Sequence, residues 1–222
     1  RLISGISRYF NESESRELRA LQVSLLNWFP FWRNLYRGGR ELVNKRVYNC
    51  ESIESLPERF IFYPIQYSPE SSINIPSPYL VDQLRVIDAI RMAMPSDYSL
   101  VVKEHPVCIS VRPRNFIKSL MNKAGVVVAR YDLDTKEVIK KSKLVISVTG
   151  TAALEAFLHG KPSLVMGPTF FSDYLGGICK IDELPKRIRE ISDEKVDEDL
   201  IIKFLSEVFA VSSDFLGRSP RE

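Results

Sequence analysis

With three cysteines, two histidines and ten glycines among 222 residues, the chain has little of what several kinds of protein depend on. Cys50, Cys108 and Cys179 are far apart, odd in number and without a CxxC pair. That spacing disfavours a disulfide framework and a zinc site and fits a reducing compartment. The glycines form neither a dinucleotide fingerprint nor a P-loop, so neither NAD nor ATP is indicated. No apolar run approaches the ~20 residues of a membrane span, and no signal peptide is visible. No carboxylate cluster suggests a metal, and no repeat or low-complexity tract is present. A formal net charge of +3 is too small to indicate nucleic acid as a partner.

What remains is a globular composition. Apolar residues make up 45% and charged ones 27%, enough to bury a core. The length suits one α/β domain with an appendage, or two small domains. The excess positive charge lies in residues 1–59, concentrated in Arg33, Arg37, Arg40, Lys45 and Arg46. The chain begins with Arg rather than Met, and the expectation is a part of something longer.

From Phe60 onward apolar runs alternate with helical patterns. Strands are predicted at 60–63, 100–102, 126–129, 144–148 and 163–166, largely apolar runs of the kind buried on both faces. Ser77-Pro78 reads as a helix start, with Ser as N-cap and Pro at the first position. Leu80, Val81, Leu84, Ile87 and Ile90 would share one face of that helix. Further helices are predicted over 113–123 (Phe116, Ile117, Leu120 and Met121 inward), 135–141, 152–158, 182–191 with Asp182 as cap, and 197–209. Five strands separated by helices predict an α/β fold, a Rossmann-like doubly wound parallel sheet over 60–222. Residues 1–59 read instead as an α-helical N-terminal extension. Leu18, Leu21, Leu25 and Leu26 stripe a helix over 14–28, and 28–32 is an aromatic cluster. Core, docking surface and membrane-surface patch all remain open for that cluster.

Open α/β sheets bind ligands beyond the carboxyl ends of their strands. Two segments place polar groups there. The second strand runs into Lys103-Glu104-His105-Pro106, where an imidazole can donate to a phosphate or sugar oxygen and Lys103 can supply a point charge. The fourth runs into Ser147-Val-Thr149-Gly150-Thr151 and a helix carrying Glu155. A helix start with unpaired amides binds phosphate readily, and Glu155, one turn above Thr151, suits ribose hydroxyls. The plainer alternatives are a hydrogen-bonded turn histidine, Thr151 as an N-cap and Glu155 as a solvated residue. His159, in the last turn before Gly160, reads as a C-terminal cap. Gln66 and Glu70 occupy the loop after the first strand, and Glu70 is a candidate general base. The aromatics of 167–174 either close over a base or sugar or pack their own loop down.

These residues carry a resemblance. Lys103-Glu104-His105-Pro106, the Ser147–Ala156 segment and Gly160-Lys161-Pro162 are similar, in order and spacing, to the capsule polysaccharide biosynthesis proteins. These are bacterial surface-carbohydrate glycosyltransferases that include Kdo transferases. The resemblance spans about residues 60–177. It implies one half of a GT-B fold, with a nucleotide-activated acidic sugar such as CMP-Kdo as substrate and no further cofactor. It also implies a glycan or glycolipid acceptor, a second GT-B domain or partner chain, and a cytoplasmic place, at the inner face of the membrane in peripheral association.

By that match Lys103 and His105, with Pro106 beside them, contact donor phosphate or cytidine. Ser147, Thr149, Gly150 and Thr151 hold phosphate, and Glu155 holds the ribose. His105 and Glu70 are then the candidates for catalysis. UDP-N-acetylglucosamine 2-epimerases and CDP-glycerol glycerophosphotransferases carry similar elements. A non-catalytic nucleotide-sugar-binding module is the alternative outside enzymes.

Overall fold

A computed structural model of the chain describes residues 30–32, 34–45, 51–66, 77–191 and 194–217. Five strands form one parallel sheet: β1 (Phe60–Pro64), β2 (Ser99–Lys103), β3 (Val126–Ala129), β4 (Leu144–Ser147) and β5 (Ser163–Val165). Their order is β3-β2-β1-β4-β5. From β1 the chain moves outward through β2 and β3, then returns to the other side of β1 for β4 and β5. The direction of winding therefore reverses between β1 and β4, and a crevice opens there at the carboxyl edge. The register sets Pro64 beside Lys103, and Lys103 beside Ala129.

Alternate strand residues feed two cores. Ile61, Tyr63, Leu100, Val102, Leu144 and Ile146 pack with helices α1 (Gln83–Ala93), α2 (Arg114–Met121) and α5 (Leu184–Ile191). Phe60, Phe62, Val101 and Val145 face the opposite way, onto α3 (Thr135–Lys141) and α4 (Thr151–Leu158). Period-two side-chain alternation in strands covered on both faces gives this doubly wound arrangement. A third cluster joins α4 to α6 (Glu198–Gly217) through Phe157, Phe171, Leu175 and Phe204.

Several helix boundaries depart from the sequence reading. Pro78–Leu80 is only a 3-10 turn, and Ser77 makes no capping hydrogen bond. The α-helix begins at Gln83, where the Asp82 carboxylate accepts from the amides of Leu84 and Arg85. An acidic side chain meeting two unpaired amides is the better cap. Likewise Asp182 lies inside a 3-10 turn, Ile181–Glu183, ahead of α5. Met121 is exposed, while Ile117 and Leu120 are buried. The last helix runs well past residue 209.

Residues 34–45 are helical, and the expected helix over 14–28 lies outside the described residues. Leu35, Tyr36 and Leu42 of the 34–45 helix are exposed, but Asn44 is buried. Its Nδ2 donates to the carbonyls of Ile109 at 2.6 Å and Arg112 at 3.2 Å, tying this helix to the segment that follows β2. Among the described residues no helix is long and apolar enough to cross a membrane.

Candidate functional site

A cavity of about 900 Å³ lies at the carboxyl edge, lined by residues that follow β1, β2, β3 and β4. Gln66, Lys103, His105, Pro106, Thr149, Gly150, Thr151 and Glu155 all reach it. Segments some 90 residues apart in sequence meet because parallel strands end on one edge. Glu70 lies outside the described residues.

Ser147 takes a different place from the one expected of a phosphate ligand. It is fully buried, and its Oγ receives Gln66 Nε2 and the Gly150 amide, each at 2.9 Å. Gln66 is held in turn: its amide donates to Gln83 Oε1 at 3.1 Å, an atom that also accepts from the Tyr63 hydroxyl at 2.7 Å. Burial pushes the Tyr63 phenol well up, so it stays a neutral donor. Tyr63, Gln83, Gln66 and Ser147 thus form a buried polar chain under the cavity floor. Gly150 fits there because it lacks a side chain. A Cβ would stand 2.6 Å from Gln66 Nε2 and 2.8 Å from Ser147 Oγ.

Beyond this floor α4 starts at Thr151 with Gly150 as N-cap, so no side chain caps its first amides. Thr151 and Glu155 lie one turn apart on the cavity side. The buried Thr149 Oγ1 has no hydrogen-bond partner among the described residues.

Lys103 ends β2 and is only 6% exposed. Its Nζ donates to Thr135 Oγ1 at 3.2 Å, and among the described residues no carboxylate lies within ion-pair distance of it. Burial draws its pKa down, opposed by the more distant Asp134, Asp132 and Glu104. A buried ammonium without a close anion is costly, and a bound anion relieves it. His105 follows, exposed at the rim, and its Nδ1 accepts the Val107 amide at 3.3 Å. That bond assigns the neutral imidazole's proton to Nε2.

The sequence reading missed the wall opposite. Tyr131, Asp132, Leu133, Asp134 and Thr135 line the cavity after β3. Arg130 pairs with Asp132 at 2.7 Å and holds its carboxyl below the ordinary range. Asp134 caps α3 through the Lys136 amide. The signal was available, since the strand-end rule that selected 103–106 and 147–155 applies equally after β3. By contrast, none of the 167–174 aromatics lines the cavity. Phe171, Tyr174 and Phe170 pack around Phe204 of α6 instead. His159 sits at the C-terminal end of α4 as expected. Among the described residues no three His, Cys, Asp or Glu side chains gather as a metal site would require.

Sheet order and cavity together define a Rossmann-like doubly wound α/β domain with a crevice at its switch point. A sequence model of the capsule polysaccharide biosynthesis proteins matches residues 42–212, and the chain belongs to that family. It is 28% identical over 149 residues to the capsule polysaccharide export protein KpsS of Escherichia coli, covering 64% of this chain and 37% of that protein. With protein FixF of Sinorhizobium fredii (strain NBRC 101917 / NGR234) it shares 26% over 183 residues, covering 76% and 44%. The chain thus spans less than half the length of these curated relatives. Among solved structures it is similar to the Thermosulfurimonas dismutans KpsC beta Kdo 2,7 transferase, with 19% identity and a TM-score of 0.44 over 69% of this chain and 52% of that one.

Proposed function

We propose that this domain is the donor-binding half of a GT-B glycosyltransferase of capsule or surface polysaccharide synthesis. Its ligand is a nucleotide-activated acidic sugar of the CMP-Kdo kind. The observation that carries the reading is the Lys103 ammonium, buried in the cavity beside the Thr135 hydroxyl and, among the described residues, with no carboxylate at ion-pair distance. Such a group suits an anion, and the adjacent uncapped start of α4 suits the same one. Family membership supplies the surface-carbohydrate context.

In this reading Lys103 and the His105 Nε2–H meet the donor phosphate, whose negative charge grows as the sugar leaves. Preorganised donors at that point are the main means of lowering the barrier. The Thr149–Thr151 backbone approaches the phosphate, and Glu155 accepts from ribose hydroxyls. Pro106 holds the chain direction after His105, while Gln66 and Ser147 keep the floor in shape. Glu70 is the candidate base for an acceptor hydroxyl. The acceptor is a glycan or glycolipid, met with a second domain or partner chain at the inner face of the membrane.

Calorimetric titration with CMP, UDP and CDP-glycerol in parallel tests the proposal. Selective CMP binding is the expected result. Preference for UDP or CDP-glycerol would redirect it to an epimerase or a glycerophosphotransferase, and absence of binding to all three would reject it. Turnover of a CMP-sugar by the chain separates an enzyme from a binding module.

A further inference from the structure

Glu104 and Arg112 have no part in the ligand contacts proposed above, yet they make a buried ion pair beside the cavity. The Glu104 carboxylate is completely buried and Arg112 is 8% exposed. Arg112 Nε donates to Glu104 Oε2 at 2.8 Å, and Nη2 donates to Oε1 at 3.1 Å. The same Nη2 donates to the Gln66 carbonyl at 2.8 Å. Glu104 Oε1 also accepts the His105 amide at 3.0 Å. The guanidinium rests over the Phe116 ring, 4.6 Å from its centroid. Asn44 fixes the other side of the segment through the Ile109 and Arg112 carbonyls.

We infer that Arg112 is a positioning residue: through one buried fork it sets the backbone of His105, after β2, against that of Gln66, after β1. Replacing buried ion pairs by apolar residues is commonly neutral or stabilising, so stability alone is a weak reason for a pair here. Geometry is a stronger one. A guanidinium can hold two carboxylate oxygens and a carbonyl at fixed angles, which a lysine ammonium on its flexible stem cannot. The inference rests on the proposed nucleotide site for its purpose, but not for its test.

The test is Arg112→Lys, which keeps the charge and removes the fork. The protein's two histidines give the readout, because His159 lies at the far end of α4 and serves as internal reference. In the nucleotide-free variant the His105 imidazole resonance is expected to shift or broaden while that of His159 stays in place. CMP affinity should fall about tenfold, the scale of one charge-assisted hydrogen bond. If Arg112→Lys does not fold, the double variant Glu104→Leu/Arg112→Met, which leaves no lone buried charge, is read in the same way. A His105 resonance that matches wild type would overturn the inference, as would both histidines moving together in both variants. If the wild type does not bind CMP, the nucleotide reading fails while the histidine comparison still decides the role of Arg112.

Discussion

Gln66 and Ser147 meet at 2.9 Å across the switch point of the sheet, joining the end of β1 to the end of β4. They are 81 residues apart in sequence, and the same Ser147 oxygen receives the Gly150 amide. The loop that opens the cavity is thus built on one buried hydroxyl that joins a local turn bond to a long-range one.

Gly150→Ala should expose this dependence. The added methyl would approach both Gln66 and Ser147 within 3 Å, forcing one of them off its partner. A loss of about 1–3 kcal/mol is expected from overpacking, seen as a lower Tm by calorimetry, together with weaker nucleotide binding. An unchanged Tm would mean that the floor yields at no cost.

His105→Ala should do the opposite. The side chain is exposed and caps only the Val107 amide, so stability should fall by no more than about 1 kcal/mol. Nucleotide binding should be lost in the same titration. A variant that unfolds, with binding kept in its folded fraction, would make His105 structural.

Lys103 gives the site a pH dependence. Burial lowers its pKa in the folded protein below the ordinary 10.5, so the folded state holds this proton less tightly than the unfolded one. Stability from this group is therefore lowest at pH values below the folded pKa and rises as pH climbs from there toward 10.5. An anion bound beside it favours the charged form and raises the pKa again. Binding should then take up protons in the window between the lowered folded pKa and 10.5, and affinity should fall as pH rises through it. Titrations in buffers of different ionisation heat measure the uptake, and Lys103→Met should abolish it.

Phe204 is the anchor of α6. It is 4% exposed and meets Phe157 edge-on at 5.8 Å and Tyr174 at 5.0 Å, while Ile202, Phe209 and Val211 of the same helix are exposed. Phe204→Ala should cost about 3–5 kcal/mol. Limited proteolysis should then cut α6 before the sheet unfolds. Global unfolding with no early cleavage would show that α6 and the sheet are one cooperative unit.

The sheet was legible in the sequence because strands buried on both faces read as continuous apolar runs, as 100–102 and 144–146 do. Placing Lys103, His105, Thr149 and Thr151 at strand ends required only the order of the elements. Helix starts were less legible. Ser77-Pro78 and Asp82 are both plausible signals, and the structure shows the Asp82 carboxylate meeting two helix amides while Ser77 meets none. The 131–135 wall was open to the same strand-end rule as the other segments and went unread.

By itself the sequence determined the alternation of strands and helices, the two-faced burial of the sheet and the family to which the chain belongs. Each depends on local pattern or on short motifs. Tertiary structure alone decided that Ser147 lies buried under the cavity floor against Gln66, that Lys103 lies buried beside Thr135, and that Arg112 spans Glu104 and Gln66. Those outcomes depend on which distant groups fill a polar atom's remaining hydrogen bonds, and sequence spacing carries no record of that choice.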